Sequence, residues 1–485
     1  RQNVLRCLER GRQYDQAIDL VLERADKKGM TGKQALWGAI RLAVRGGKYK
    51  KAQTLLAKFA KTYRAYTDDR RWLDAWLKFR LGDHEAAIEA FDKIAARRGN
   101  DTTRSRYFSG RLKLGSVVPE QRVAGAALLT KLVRQQPLSY YGLQARQRLL
   151  DAGQPVPAPP ELAPVPDEST PPNYAQAQEI FAATLSQLDG SSEALTRAAA
   201  LHRAGFIEEA RRELRIAVDE FIDVAPGFRS GGYVPRNEDR LVGLGWRAEW
   251  KQPKLRVPRE LRKHVRKSEV SEPIRDNLRL LASSLNEPYR MAKLTKSADH
   301  PYKARWHPRA FRPILEREAD VREIDATHLW SLMYTESRFR RHVVSHVGAR
   351  GALQIMPWTG RQLAERLGEC DGHFDADTLF DIDTNAKLAS YYIAELLKKF
   401  HGQPAMAYAS YNGGPSNVAR WLAAKSADGQ PLHLDSFIEE IPFSESARYT
   451  RRVLEVHAAY KLMYEGGFPR WTNEVDTHYE DNIDF

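Results

Sequence analysis

Cysteine is nearly absent from this chain of 485 residues, which carries only Cys7 and Cys370. Two thiols exclude a disulfide-braced scaffold and a cysteine-ligated metal cluster. Long apolar runs are missing too, so no segment can cross a bilayer as a helix. Zinc-finger spacing, RNA-binding signatures and a Gly-rich phosphate loop are all lacking. The chain starts at Arg1 without an initiator methionine or a leader-like stretch, and is expected to be a mature or trimmed form. His328 and His346 have no metal-ligand spacing and read as ordinary surface or loop residues. No metal and no cofactor are expected.

Positive charge is what the chain has in excess. Its 76 Lys and Arg against 62 Asp and Glu leave a net charge of +14. Such a balance favours an acidic partner: nucleic acid, an anionic cell-wall polymer or a membrane surface. The basic residues are scattered and no nucleic-acid motif accompanies them, so nucleic acid is not expected. A hydrophobic content of 42% with 28% charged residues suits a globular protein of two or three domains.

Helical periodicity dominates, and the first part of the chain carries a faint repeat. "GKYKKA" (Gly47, Tyr49, Ala52) and "GDHEAA" (Gly82, His84, Ala87) share a Gly-x-aromatic-x-x-Ala pattern. "RQYDQA" keeps Tyr14 and Ala17 but has its glycine one position early, at Gly11. Tyr14, Tyr49 and His84 follow one another at equal steps of 35, close to the period of tetratricopeptide-like helical hairpins. A looser match, "GFIEEA", has Gly205, Ile207 and Ala210.

These signals predict an all-α protein with a solenoid of helical hairpins over 1–153. A proline-rich linker follows over 154–172, where prolines recur too densely for a helix. A helical linker domain is expected over 173–300, with an irregular insertion near 226–258. Glycine- and proline-punctuated loops full of polar groups mark a site-bearing domain over 301–470, and an acidic, peripheral tail is expected over 471–485.

Chemistry concentrates in "SLMYTESRFRRHVVSHVGARGALQIMP", positions 331 to 357. From His328 to Phe339 a helical stripe of Leu329, Leu332 and Met333 shares its face with Glu336. A carboxylate on an apolar face is costly unless it is paired or keeps its proton. Glu336 is therefore either a structural acid, with Arg338 or Arg340 as partner, or a working one. Downstream, Ser345 offers a hydroxyl, Gln354 an amide and Met356 an adaptable apolar surface among glycines. "AYASYNGGPSNVARW" adds Tyr411 and Asn412 before a double glycine. Such groups around a glycine-rich cleft suit a neutral, hydroxyl-rich sugar.

The order Glu336-Ser337, Ser345 to Gly351, Gln354 to Pro357, Tyr411-Asn412-Gly413-Gly414, then "FIEEIPFSESARY" resembles the soluble lytic transglycosylases of bacterial peptidoglycan. The likeness is strongest from Ile314 to Tyr460, and "PLSYYGLQARQRLL" (Pro137 to Leu150) resembles the upstream half of the long soluble members. Departures are Ala352 and Leu353 in place of Leu-Met, Ser410 and Gly413 in place of alanines, and Ala447 where arginine is frequent.

The resemblance implies a goose-type lysozyme-like catalytic domain behind a helical superhelix, with a periplasmic location. It implies Glu336 as the single catalytic acid and base, expected to hold its proton near neutral pH. Ser345, Gln354, Met356, Tyr411, Asn412 and, from "EEIPF", Glu439 are the expected substrate-binding residues. The roles of Glu440, Glu445 and Tyr449 stay open. The expected partners are peptidoglycan glycan strands, with protein partners possible through the helical repeats, and the chain is expected to be a monomer. A muramidase hydrolysing the same bond and a non-catalytic wall-binding scaffold are the alternatives. A muramidase needs a second acid, for which no spacing offers a clear candidate.

Overall fold

In the computed structural model the described residues are 2–25, 30–63, 67–97, 99–160, 172–221, 271–285, 287, 307–370, 373–425 and 432–483. Among them every regular element is a helix, and β-pairing is confined to isolated bridges. The insertion expected near 226–258 lies outside the described residues. The chain divides into two units that interleave along the sequence. One comprises Arg1–Pro160, Tyr392–Ala458 and Gly467–Phe485; the other comprises Glu161–Tyr391 and Ala459–Gly466.

The first unit opens with α1 (Gln2–Arg10), α2 (Tyr14–Leu22), α3 (Met30–Arg45), α4 (Tyr49–Thr62) and α5 (Asp68–Arg80). It continues with α6 (His84–Ala95), α7 (Thr102–Leu114), α8 (Pro119–Gln135) and α9 (Tyr140–Asp151). Each helix packs chiefly on its neighbours in sequence, the mark of a solenoid. Tyr14, Tyr49 and His84 each begin a helix, and Ala17, Ala52 and Ala87 one turn later are fully buried. Ile207 and Ala210 repeat that arrangement in the second unit.

The glycines before these helices have left-handed backbones: Gly47 at φ 70°, Gly82 at 81° and Gly205 at 82°. The next amide closes the preceding helix, Lys48 N to Ala43 O at 2.8 Å, Asp83 N to Lys78 O at 3.0 Å and Phe206 N to Leu201 O at 2.9 Å. This is the Schellman closure. In the first repeat Gln13 N donates to Leu8 O at 2.8 Å, and Arg12 takes the left-handed position at φ 56°. Gly11 does not occupy it, which explains the displaced glycine.

After α9 the chain leaves the helix but stays attached. Arg146 Nη1 donates to Pro157 O at 2.8 Å, and Val156 packs against the core of Trp72, Phe91 and Phe108. The rest of this unit includes α18 (Pro404–Gly413), α19 (Pro415–Lys425) and the short α20 (Leu434–Glu439). Asp435 at the start of α20 is fully buried. It accepts from Tyr107 Oη at 2.5 Å, from Arg111 Nη1 at 2.8 Å and from Arg148 Nη2 at 3.0 Å. Burial alone would raise its pKa. Arg111, Arg148 and the Tyr107 hydroxyl outweigh burial and hold the carboxyl below the usual range.

The residues expected as a peripheral tail are anchored. Trp471, Val475 and Ile483 are buried, Leu434 N donates to Asn473 O at 2.7 Å, and Lys399 Nζ donates to Glu480 O at 2.6 Å.

In the second unit α10 (Tyr174–Gln187), α11 (Glu193–Arg203), α12 (Ile207–Phe221) and α13 (Glu272–Ser284) share a core of Phe181, Leu195, Leu214 and Leu278. Beyond them stand α14 (Arg312–Val321), α15 (Ala326–Glu336) and α16 (Pro357–Arg366). Two long helices, α17 (Ile382–Lys399) and α21 (Ser444–Glu465), belong partly to each unit.

Two outcomes are expected. Gly82→Ala meets no atom within 4 Å, so its effect is purely conformational; calorimetry should show a loss of about 1 kcal/mol. Asp435→Asn leaves two guanidinium groups without their counter-charge and should cost on the order of 3 kcal/mol. Because the folded pKa of Asp435 is depressed, its contribution is complete above about pH 4. It is lost as pH falls through the depressed value. The gap between wild type and Asp435→Asn should hold constant from weakly acidic to neutral pH and close only in strong acid.

Candidate active site

The helix bearing Glu336 is shorter than its periodicity suggests, ending at Glu336 rather than Phe339. It is also buried on every side: all eight residues from Thr327 to Tyr334 are buried. The one-sided apolar stripe is thus part of a helix enclosed all round. Glu336 is half-buried where that helix emerges.

The start of α15 is pinned. Asp325 caps it, accepting from Thr327 N at 2.8 Å and Thr327 Oγ1 at 2.6 Å, while Lys461 Nζ reaches the second oxygen at 2.7 Å. Burial works against the Asp325 carboxylate, but Lys461 and Thr327 hold it ionised and well below the usual range. Trp330 Nε1 donates to Ala310 O at 2.9 Å, and its ring stacks on Tyr460. His328, read from sequence as a surface or loop residue, is buried in this helix, and burial lowers its pKa to about 4. His346 is exposed.

Directly after Glu336 the backbone turns sharply. Arg338 (φ 56°) and Phe339 (φ 64°) are consecutive non-glycine residues in the left-handed region, and Gln354 (φ 51°) is a third nearby. Strain of this kind persists only where the surroundings enforce it. Arg338 lies over the Tyr334 ring at 4.0 Å, and Arg340 Nε donates to Ser337 O at 2.8 Å.

A small ribbon follows, in which Val344 pairs with Arg350 and Arg350 with Ile355, both antiparallel. Ser345 lies beside Ala349: Ser345 N donates to Ala349 O and Ala349 N to Ser345 Oγ, each at 2.9 Å. The Ser345 hydroxyl thus braces the turn as an acceptor and keeps its own hydrogen to donate. Gln354 Nε2 is spent inside the ribbon, on Val343 O at 3.0 Å and Gly351 O at 2.7 Å. Met356, one residue beyond Ile355, is 37% exposed, and Trp358 is 63% exposed. Trp358 escaped the sequence reading because a lone tryptophan carries no spacing signal. Beneath the ribbon Asn385, fully buried, accepts from Leu353 N at 2.8 Å.

The first unit holds the other expected residues. Tyr411 and Asn412 close α18, with Tyr411 against Tyr392 at 5.3 Å between rings. Asn412 is exposed, and Ser446 Oγ donates to its Oδ1 at 2.7 Å. Nothing in the sequence pattern marked Ser446.

Glu439, expected in the cleft, has a side chain only 2% exposed. It accepts from Tyr141 Oη at 2.6 Å, with Arg104 and Arg451 at 3.6 Å and 3.5 Å. Its neighbour Glu440 accepts from Tyr49 Oη at 2.8 Å and Trp76 Nε1 at 2.9 Å, and pairs with Lys425 at 2.7 Å. Burial opposes the Glu440 charge, but Lys425 and Arg80 prevail and lower its pKa. Both acids bind solenoid side chains. Glu445 is exposed in the first turn of α21, and Tyr449 is half-buried. Among the described residues no cluster of His, Cys, Asp and Glu could hold a metal ion, and no helix is long and apolar enough to cross a membrane.

Gly351→Ala tests the ribbon. A Cβ there would stand 2.0 Å from Leu379 O and 2.6 Å from Asn385 Nδ2, on a backbone at φ 81°. Neither contact can yield cheaply, so thermal unfolding should show a loss of roughly 3 kcal/mol.

Residues 314–433 match the family model of the transglycosylase SLT domain. The soluble lytic murein transglycosylase of Escherichia coli K12 is 29% identical over 154 residues, covering 32% of this chain and 23% of the relative. A putative soluble lytic murein transglycosylase of Haemophilus influenzae is 27% identical over 161 residues, 32% of this chain and 26% of the relative. The matched stretch thus spans only about a quarter of these relatives' length. A lytic transglycosylase from Pseudomonas aeruginosa, solved as an inactive mutant, aligns with a TM-score of 0.60 at 20% identity, covering 99% of this chain and 65% of that one. The 70-kDa soluble lytic transglycosylase in complex with bulgecin A aligns at 0.53 and 18% identity, covering 96% and 68%. What is shared at these identities is the fold: all-α, a helical solenoid followed by a lysozyme-like domain.

Proposed function

We propose that this chain, which belongs to the transglycosylase SLT family through residues 314–433, is a peptidoglycan lytic transglycosylase. Its substrate is the β-1,4 bond from N-acetylmuramic acid to N-acetylglucosamine, and its place of action is the periplasm, where that polymer lies. The observation that carries the reading is the position of Glu336, half-exposed at the end of an otherwise enclosed helix and followed by a strained, glycine-bearing ribbon.

Protonated Glu336 gives its proton to the glycosidic oxygen as the bond from the muramic C1 to that oxygen breaks. The muramic N-acetyl group stabilises the positive charge developing at C1, and the free hydrogen of the Ser345 hydroxyl orients that group. Glu336, now anionic, takes the proton of the same sugar's 6-hydroxyl as its oxygen bonds to C1. The proton is returned, no water is consumed, and the product ends in 1,6-anhydromuramic acid. Met356, Tyr411 and Asn412 contribute substrate contacts, with Gln354 bracing the ribbon and offering its amide oxygen.

One carboxylate serving twice agrees with the state of the acids in "EEIPF". Glu439 and Glu440 have side chains 2% and 1% exposed and are bound to the solenoid. Neither is free to act as the second acid a hydrolase needs.

Mass spectrometry of products released from purified peptidoglycan tests the reading. Wild type should release anhydromuropeptides, and Glu336→Gln should lose at least about 100-fold of that rate. Reducing-end products from wild type would make it a hydrolase instead, and no products from wild type would refute both.

A further inference from the structure

Among the described residues tryptophan is an interior residue, with one exception. Trp72, Trp76, Trp330, Trp421 and Trp471 are buried and Trp37 is half-buried. Trp358 is 63% exposed, and Met356, two positions earlier, is 37% exposed. An indole left in water forgoes one of the largest burial gains that any side chain offers.

Helix geometry keeps this ring outside. The buried residues of α16 are Gly360, Leu363 and Ala364, which share one face. Trp358 stands two positions before Gly360, about 200° round the axis, and so lies on the opposite face. The helix has no room to roll. A Cβ on Gly360 would stand 3.1 Å from the Phe374 ring and 3.2 Å from the Leu379 side chain, so the backbone rests directly on both. Pro357 fixes the first position of the helix, and Gly360 N donates to Met356 O at 2.8 Å. Leu379 supports the ribbon as well, with its carbonyl against Gly351. Helix and ribbon therefore share a support, and Trp358 is presented just beyond Ile355, the last paired residue of that ribbon.

The surroundings of the ring select its occupant. Arg361 and Glu365, three and seven positions further along the outward face, are exposed and pair with each other at 2.8 Å. The apolar surface is thus one indole and one thioether beside a neutralised polar pair, far smaller than a stable protein interface requires. It matches a pyranose ring, whose C–H groups make one face apolar while its hydroxyls stay at the rim. We propose that Trp358 is a substrate-binding residue whose indole stacks on a pyranose ring of the glycan strand, beside the ribbon that carries Ser345 and Met356. The proposal rests on the peptidoglycan reading above and adds a saccharide contact to it.

The test is a fluorescence titration with the β-1,4-linked N-acetylglucosamine hexamer in the Glu336→Gln background, where turnover is suppressed. Tryptophan emission should shift to shorter wavelength as the exposed indole leaves water, and Trp358→Phe in the same background should abolish the shift. By titration calorimetry Trp358→Ala should weaken the hexamer about tenfold, while Trp358→Phe, which keeps a flat ring, should stay within about threefold. Trp358→Leu, apolar but not flat, should lose about as much as Trp358→Ala. The exposure of the side chain keeps folding out of the comparison.

An emission shift that survives Trp358→Phe would overturn the proposal, as would no shift at all. So would equal binding with Trp358→Ala, or Trp358→Leu binding as well as Trp358→Phe. In each of these cases release of anhydromuropeptides by the wild type still upholds the functional reading. A wild type that neither binds the hexamer nor cleaves peptidoglycan would remove that reading and the proposal together.

Discussion

Three carboxylates packed into a helical solenoid are the constraint on which much of the first unit depends. Asp435, Glu439 and Glu440 lie within one short segment, and each is met by donors from successive solenoid helices. Tyr49, Trp76, Tyr107 and Tyr141 give neutral hydrogen bonds, while Arg111, Arg148 and Lys425 give charge. Buried ion pairs add little net stability over a well-packed apolar contact, because desolvation consumes most of the attraction. What they provide is register. A shift of α20 by one residue would strand several buried charges at once, so the packing tolerates one alignment. Asn412 is held to Ser446, a few residues beyond this segment.

The second unit concentrates its constraints around one acid. Helix α15 is enclosed from Thr327 to Tyr334, capped by Asp325, whose carboxylate Lys461 meets, and Glu336 occupies the position where it ends. Two left-handed residues then turn the chain into a ribbon whose polar side chains are largely consumed in holding its own shape. Rigid support of this kind is what a single carboxyl needs if it is to give a proton and later take one at nearly the same place.

Parts of this were legible in the sequence. The equal spacing of Tyr14, Tyr49 and His84 marked hairpins whose alanines are buried, because helix pairing imposes a periodic demand for a small residue and a left-handed exit. Arg12, in the place of a glycine, shows how a repeat can survive the loss of its signature residue. The apolar pattern around Glu336 signalled a helix and its acid, although it could not separate a one-sided stripe from full enclosure. His328 was misjudged for that reason: a histidine inside a buried helix looks in sequence like one on its surface. Glu439 was misplaced because order within a motif says which residues are near in the chain, not which way they face.

By itself the sequence determined the all-α class, the repeat and the motif order. All of these depend on local periodicity or on chemistry carried by neighbouring residues. Only the tertiary structure decided that Asp435, Glu439 and Glu440 are buried against solenoid side chains and that the acidic C-terminal residues are anchored. Each of those outcomes joins residues far apart in the chain or on different helices. A carboxylate's role is set by the donors that reach it in three dimensions, and no spacing along one chain encodes them.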